Sequence, residues 1–347
     1  MPRDTRAQTA STLTERIQRV ISRPEFAHAN FGIEFYSLDS GKIVYALNPD
    51  KMFVPASTTK ILTEGTLLAK LGPDYRFHTR IYRSGPVDSK GKLKGDLILV
   101  ASGDPNLSNR IQPDGTLAFV DEDHSYSGPA VRGDPLAVIK ELAAKIGAKG
   151  IKKIEGRLLI DTRLFPDGPR EGGTDVVMSS VMVNDNVIDL IAKAGARAGD
   201  LTALETSPHT SYLQFVNHVV TGAQTSKPNL DPPEVAANSD GTVTVTLSGS
   251  LPLAIDPQTA AFAVPSPTTF ALTVLREALI SAGVAFKNVK TTRPPNFADY
   301  TRFYAPENEV ADHISPPLSE EIKVTLKVSQ NLHAGMTPYL LGALVAK

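Results

Sequence analysis

Two residues near the start of the chain have the chemistry of a nucleophile and its base. Ser57 and Lys60 are separated by two threonines, and residues 55–71 have the apolar spacing of a buried helix that ends at Gly72. Positions three apart lie on one helix face, so the Lys60 amine can approach the Ser57 hydroxyl. A serine hydroxyl needs such a base, and burial would lower the proton affinity of the lysine.

The context of Ser57 and Lys60 favours catalysis over the alternative, a serine N-cap followed by a surface lysine. The helix N-terminus would add N–H groups and a positive dipole end, which suit an anionic intermediate. The segment 55–60, placed after a hairpin and at the head of an apolar helix, resembles the penicillin-recognising serine enzymes, whose signature includes Ser-x-x-Lys. The resemblance implies that Ser57 and Lys60 are catalytic.

The second motif of that superfamily, Ser-x-Asn, is present at Ser329-Gln330-Asn331, between two helical segments. In the superfamily this loop faces the nucleophile, its serine relays a proton to the leaving group, and its asparagine holds a substrate amide carbonyl. A hydroxyl and an amide can both donate and accept hydrogen bonds. The resemblance therefore implies that Ser329 is catalytic and that Asn331 binds substrate. The alternative is a serine turn with an asparagine before a helix.

Other segments narrow the resemblance to the class C penicillin-binding proteins, the penicillin-binding-protein-4 type. Residues 95–107, 183–190 and 327–334 are similar to segments of that family. Roughly 270 residues separate Ser57 from Ser329, which matches the large inserted domains of this type. The resemblance spans the chain from about residue 11 to its end.

Two features depart from the family pattern. A Lys-Thr-Gly strand, which in the family supplies an oxyanion N–H and a cation for the substrate carboxylate, should follow the Asn motif. No such sequence follows Ser329, and Lys290-Thr291-Thr292 lacks the glycine and precedes the motif. We therefore expect the C-terminal strands to be missing from this chain. Residues 170–177 also lack the aromatic-rich segment that the family has before the inserted domain.

Other polar residues receive structural interpretations. The seven histidines show no His-x-x-x-His or His-Glu pairing and there are no cysteines, so we predict no metal site and no cofactor. His333, beside the Asn motif, is interpreted as a packing residue. Asp104 and Asn106 are interpreted as turn residues, and Asp185 as a capping or turn residue of the run 184–186.

Hydrophobic periodicity predicts an α/β (α+β) multidomain fold, with helical texture at both ends of the chain and a largely β middle. A hairpin is predicted over 31–47. Residues 183–263 are strand-like, and Thr242 to Ser248 show the clearest alternation of apolar and polar residues. The other predicted helices cover 11–23, 135–146, 268–282, 319–327 and 332–346, and the other predicted strands cover 79–83, 95–101 and 154–161.

The resemblance and this layout together predict the domain organisation. A transpeptidase-like catalytic domain, with helices packed on an antiparallel sheet, is expected from 11–76 and 266–347. A first inserted domain is expected from 77–182 and 251–265, and a second, β-rich one from 183–250.

Composition excludes several classes of function. The 36 basic and 37 acidic residues give a net charge of −1, so no basic excess points to nucleic acid. No apolar run approaches the roughly 18 to 20 residues that span a bilayer. The polar first residues show no signal peptide, so a periplasmic or extracellular location is implied only by the resemblance.

The resemblance implies a serine-type D-alanyl-D-alanine carboxypeptidase or endopeptidase. Such an enzyme cleaves peptidoglycan stem peptides through an acyl-enzyme and is acylated by β-lactams. Two alternatives stay open. A β-lactamase would need a carboxylate-held water, for which we see no local motif, and a truncated, non-catalytic fragment would bind peptide or β-lactam without reacting.

Overall fold

A computed structural model of the chain describes residues 11–120, 123–287 and 295–346. Lys290, Thr291 and Thr292, considered above as a counterpart of the third motif, lie outside these ranges. The chain divides into two compact units between Thr58 and Thr59.

The first unit contains a helix and a β-hairpin. Helix α1 (Leu13–Ile21) begins at Thr12, whose side chain accepts the N–H of Glu15 while the Glu15 carboxylate accepts the N–H of Thr12. Strands β1 (Ile33–Ser37) and β2 (Lys42–Leu47) pair antiparallel. The helix and the hairpin predicted for this part of the chain are confirmed.

The helices in the described part of the second unit form two groups. Helix α2 (Thr59–Leu71) contacts α5 (Leu318–Val328) and α6 (Asn331–Leu344), and α3 (Ala137–Ala148) contacts α4 (Pro267–Ser281). The first group shares a buried core that includes Leu67, Ile322 and Met336. No helix among the described residues is long and apolar enough to cross a bilayer.

The strands of the second unit form several small sheets rather than one large sheet. In chain order they are β3 (His78–Arg83), β4 (Lys92–Leu93), β5 (Leu97–Val100), β6 (Lys153–Ile154), β7 (Leu158–Asp161), β8 (Val187–Lys193), β9 (Ala203–Ser207), β10 (Leu213–Gly222), β11 (Asn229–Leu230), β12 (Glu234–Ala237), β13 (Val243–Pro252), β14 (Gln258–Ala263), β15 (Ala285–Phe286) and β16 (Glu309–Ile314).

One four-stranded sheet has the order β16-β3-β5-β7. Strand β3 pairs antiparallel with β16 and β5, and β5 pairs parallel with β7. Leu97, Ile98 and Leu99 of β5 are fully buried, as expected for a central strand covered on both faces.

The middle of the chain is rich in β-structure, as predicted. Strands β14, β8 and β9 form an antiparallel sheet, and β10 to β13 form a separate, mixed sheet. Strands β10 and β13 pair in parallel from Leu213 and Val243 to Gly222 and Pro252, so the clearest predicted strand is confirmed and extends further than predicted. The mixed α/β fold with several sheets agrees with the predicted fold class.

One prediction about helix α2 is wrong. Apolar spacing places Ile61 and Leu62 on its buried face, but their exposed fractions are 63% and 72%. The buried residues of α2 are Lys60, Glu64 and Leu67, which recur at the spacing of one helix face. Hydrophobic periodicity cannot detect a buried helix face that begins with charged residues. The buried face of α2 is of this kind, because it begins with Lys60 and Glu64.

Candidate active site

The predicted nucleophile and base lie at the beginning of α2. Ser57 is in a 3₁₀ turn (Ala56–Thr58) that leads directly into the helix, and Lys60 is its second residue. Ser57 belongs to the first unit and Lys60 to the second. The pairing of their side chains stays a prediction from their spacing in the sequence.

The Lys60 side chain meets both predicted site residues of the Asn motif. Its Nζ donates to the Ser329 carbonyl oxygen at 2.9 Å, to the Ser329 Oγ at 3.0 Å, and to the Asn331 Oδ1. Only 7% of the Lys60 surface is exposed. The second unit thus brings together three of the four site residues predicted from the sequence, Lys60, Ser329 and Asn331. Lys60 lies near the start of this unit in the sequence, and the other two lie near its end.

The Asn motif forms a tight turn between α5 and α6. Ser329 caps the end of α5 with φ 59° and ψ 40°, the left-handed conformation that residues other than glycine rarely adopt. Gln330 caps the start of α6 and accepts the N–H of Leu332 at 3.3 Å. Left-handed backbone of this kind persists only where its surroundings hold it, and it is concentrated at functional sites. Here it directs the Ser329 hydroxyl and the Asn331 amide toward Lys60.

The surroundings of Lys60 make its ammonium easier to deprotonate than that of an exposed lysine. Burial lowers the pKa of the Lys60 ammonium below its ordinary value, and the carboxylates of Asp123, Glu171 and Glu64 oppose this only in part. An ammonium has three N–H donors for the three acceptors described above. An amine in the same position would keep two donors and offer a lone pair. Lys60 therefore has the environment of a lysine that can act as a base.

Glu64 is a second buried ionisable residue on α2, one turn beyond Lys60, and no sequence pattern indicated it. Its Oε1 accepts the hydroxyl of Thr337 at 2.7 Å, and the residue is 2% exposed. Burial raises the pKa of Glu64 to about 7, against the lowering effect of the Thr337 bond. Glu64 therefore changes charge near neutral pH.

Replacing Glu64 by glutamine is expected to flatten the dependence of stability on pH. Because the folded-state pKa of Glu64 lies above its unfolded value, the folded protein binds more protons and loses stability as the pH rises from about 4.5 to 7. Glu64→Gln removes this loss. The unfolding free energy of the variant minus that of the wild type should therefore rise by about 1–3 kcal/mol from pH 5 to pH 8.

Denaturant unfolding at the two pH values provides the measurement. Glu307→Gln, at an exposed position, is the control and should follow the wild type. Parallel pH curves for Glu64→Gln and the wild type would contradict the assignment of a raised pKa to Glu64.

A buried cluster of charged side chains lies behind the Asn motif, centred on His333. The His333 Nε2 is 2.9 Å from Asp185 Oδ1, and its Nδ1 is 2.7 Å from Glu321 Oε1. The other oxygen of Asp185 accepts from Arg110 Nη2 at 2.7 Å and lies 2.9 Å from His124 Nδ1. All five residues are buried. The cluster joins α5 and α6 to segments that lie far from them in the sequence.

Both histidines of this cluster are positively charged at neutral pH. Burial opposes the charge on His333, but Glu321 and Asp185 outweigh burial and raise the pKa of His333 to about 10. Burial also opposes the charge on His124, and there Asp185 and Asp189 raise the pKa to about 9. A protonated imidazole donates from both ring nitrogens, which matches two carboxylates on each ring. His333 is therefore a buried cation, and its interpretation as a packing residue is incomplete.

The three residues interpreted as turn residues do form turns, and they also support the cluster. The Asp104 carboxylate accepts the N–H of Asn106 at 2.9 Å, and the Asn106 side chain donates to Glu321. Asp185 lies between two asparagines, and all three have left-handed backbone, with φ of 49°, 52° and 53°. Contacts between these residues and their charged partners connect distant parts of the chain, so no local sequence signal indicates them.

Solved structures of one bacterial protein share the fold. Penicillin binding protein 4 from Haemophilus influenzae matches with a TM-score of 0.62 and 20% sequence identity, over 90% of this chain and 62% of that one. The same protein complexed with a novel β-lactam gives a TM-score of 0.60 and 21% identity, over 89% of this chain and 59% of that one. The chain has the fold of this class of protein.

The chain belongs to the D-Ala-D-Ala carboxypeptidase 3 (S13) family, whose pattern matches residues 13–342. A D-alanyl-D-alanine carboxypeptidase of Actinomadura sp. (strain R39) is 26% identical over 344 residues, 95% of this chain. D-alanyl-D-alanine carboxypeptidase DacB of Haemophilus influenzae is 23% identical over 314 residues, 87% of this chain. The chain spans 57% of the length of each of these relatives. The resemblance inferred from the sequence is confirmed for the family.

Proposed function

We propose that the protein is a serine-type D-alanyl-D-alanine carboxypeptidase and endopeptidase that cleaves peptidoglycan stem peptides through an acyl-enzyme on Ser57. Membership of the S13 family supports the reaction class. The observation that carries the proposal is the convergence of the buried Lys60 amine on Ser329 and Asn331. A buried lysine, a hydroxyl and an amide on one turn match the base, proton relay and substrate binder that the chemistry needs.

In the proposed acylation step, the neutral Lys60 amine accepts the proton of the Ser57 hydroxyl. The Ser57 oxygen attacks the carbonyl carbon of the penultimate D-alanine and forms a tetrahedral intermediate. The peptide C–N bond then breaks, the terminal D-alanine leaves with the transferred proton on its amine, and the acyl group stays on Ser57. Water hydrolyses the ester in the second half of the reaction.

The contact between Lys60 and Ser329 supports a relay for the proton. A hydroxyl can accept a hydrogen bond from the Lys60 ammonium and can donate one to the Lys60 amine. Ser329 can therefore receive the proton from Lys60 and give its own proton to the leaving amine, without a change of position larger than a hydroxyl rotation. Asn331, beside it, is proposed to hold an amide carbonyl of the stem peptide.

The proposal extends to β-lactam antibiotics, whose ring amide would acylate Ser57 in the same way. The complex of Haemophilus influenzae penicillin binding protein 4 with a β-lactam supports this extension. Cell-wall substrates also imply that the protein works outside the cytoplasm.

The release of D-alanine tests the proposed function. A synthetic pentapeptide ending in D-Ala-D-Ala should release free D-alanine in the presence of the protein, and the matched peptide ending in L-Ala-L-Ala should not. Release from neither peptide, together with no labelling by fluorescent penicillin, would contradict the proposal and favour a non-catalytic fragment. Rapid loss of the β-lactam label with turnover of the antibiotic would favour a β-lactamase.

A further inference from the structure

The turn Asp123-His124-Ser125 contacts the Asn motif in two places. The N–H of Asn331 donates to Asp123 Oδ2 at 2.7 Å. The Ser125 Oγ lies 3.2 Å from Gln330 Oε1. The turn thus reaches both residues that follow Ser329, from a segment about 200 residues earlier in the chain.

The bond to Asn331 is of a kind that fixes the end of a helix. Asn331 is the first residue of α6, and the first N–H groups of a helix have no partner within it. The helix dipole favours a carboxylate at this position, and a hydrogen bond to a charged acceptor is stronger than a neutral one. Since Ser329 and Gln330 alone separate α5 from α6, anchoring Asn331 restrains the whole turn.

The Asp123-His124-Ser125 turn is itself held firmly. Asp123 Oδ1 accepts the N–H of Ser125 at 2.9 Å and its hydroxyl at 2.5 Å. The His124 ring lies 2.9 Å from Asp185 and 2.5 Å from Asp189. The three residues of the turn are at most 8% exposed. Any movement of the turn would therefore break buried hydrogen bonds to charged groups, which is costly.

Asp123 also contributes to the electrostatic field at Lys60. Three carboxylates act on Lys60: Asp123 from this turn, Glu171 from the loop before β8, and Glu64 from α2 itself. The contribution of Asp123 is the largest of the three, and each of them raises the pKa of Lys60. The same carboxylate that holds Asn331 thus favours the protonated form of the proposed base.

We propose that Asp123 is a positioning residue for acylation: its carboxylate fixes the Asn331 end of the Asn motif, and through it the Ser329 hydroxyl and Asn331 amide that meet Lys60. This inference rests on the proposed function, because it concerns the same site. Asp123 touches neither the substrate nor the reacting atoms in this scheme. It acts through the backbone of the turn and through its charge.

The rate of acylation by a fluorescent penicillin, measured across pH, tests the inference. Asp123→Ala should lower the second-order rate constant about 10- to 100-fold, because it removes the charged acceptor of the part-buried Asn331 N–H. It should also move the acid limb of the pH profile to lower pH, because loss of a negative neighbour lowers the pKa of Lys60. Asp123→Asn keeps one acceptor, so it should give an intermediate rate and the same shift.

Asp240 provides a matched control. Its carboxylate accepts the N–H of Thr242 at 3.0 Å and the hydroxyl at 2.7 Å, the same local motif that Asp123 makes with Ser125. Asp240 lies in the exposed turn between β12 and β13. Asp240→Ala should leave both the rate and the pH profile unchanged.

The outcomes separate the inference from the proposed function. One outcome would overturn the inference alone. In it the wild type is labelled, and Asp123→Ala has a lower melting temperature but the wild-type acylation rate and the wild-type acid limb of the pH profile. An unlabelled wild type would overturn the proposed function, and the inference with it. If Asp123→Ala does not fold, the near-isosteric Asp123→Asn decides the question, and an unshifted acid limb in that variant would overturn the inference.

Discussion

Replacing Ser57 by alanine is expected to abolish covalent labelling by a β-lactam while the protein stays folded. Lys60→Ala should reduce the acylation rate by a similar order, at least about 10⁴-fold, because members of one catalytic unit act together and their losses are not additive. The physical reason is that a serine hydroxyl without a base is a poor nucleophile, and a base without the hydroxyl has nothing to activate. Gel fluorescence and stopped-flow acylation provide the measurements.

Two controls lie in the same part of the chain. Lys70→Ala removes an exposed lysine from the other end of α2, and Thr58→Ala removes the hydroxyl next to Ser57. Both should be labelled at close to the wild-type rate. Persistent labelling of a folded Ser57→Ala variant would show that another residue is the nucleophile.

Removing the His333 side chain should be the most destabilising of the substitutions considered. His333→Ala leaves the carboxylates of Asp185 and Glu321 buried without their shared cation, and breaking a buried ion pair costs about 3–5 kcal/mol. Urea denaturation gives the unfolding free energy. His218→Ala, at an exposed position of β10, is the control and should change it by no more than about 0.5 kcal/mol.

The pH dependence provides an independent check on His333. Its folded-state pKa of about 10 lies above the ordinary value of 6.5, so its stabilising contribution is complete below about pH 6.5 and is lost as the pH rises toward 10. The wild type should therefore lose stability over this range more steeply than His333→Ala. If His333→Ala lowers the unfolding free energy by less than about 1 kcal/mol, and this free energy depends on pH as steeply as in the wild type, the buried charged cluster is contradicted.

Local sequence patterns were sufficient to predict the helices of the described residues, but they predicted the strands less well. The strand predicted over 154–161 is two strands, β6 and β7, in different sheets, and β16 was not predicted. Periodicity located α3 and α4 and the terminal pair α5 and α6 to within a few residues, because each has an apolar face and a polar or glycine boundary. The error on α2 has a physical cause. The buried face of that helix carries Lys60 and Glu64, whereas a hydropathy pattern assigns charged residues to the exposed face.

The candidate site was predictable only where the resemblance supplied both motifs. Ser329 and Asn331 were identified by family pattern, and the structure of the second unit places both against Lys60. The contact of Asp123 with Asn331 and that of His333 with Asp185 could not be predicted, because the two residues of each pair lie more than a hundred positions apart. The role of Ser57 and the boundaries of the predicted catalytic and inserted domains stay predictions.

The position of a β-lactam adduct tests the central claim most directly. Trypsin should release Ser57 in the peptide 52–60 and Ser329 in the separate peptide 328–347, since cleavage follows Lys51, Lys60 and Lys327. After reaction with penicillin, mass spectrometry should find the added mass on peptide 52–60, and fragmentation should place it on Ser57 rather than on either threonine. An adduct on peptide 328–347, or no adduct on the folded protein, would contradict an acyl-enzyme on Ser57.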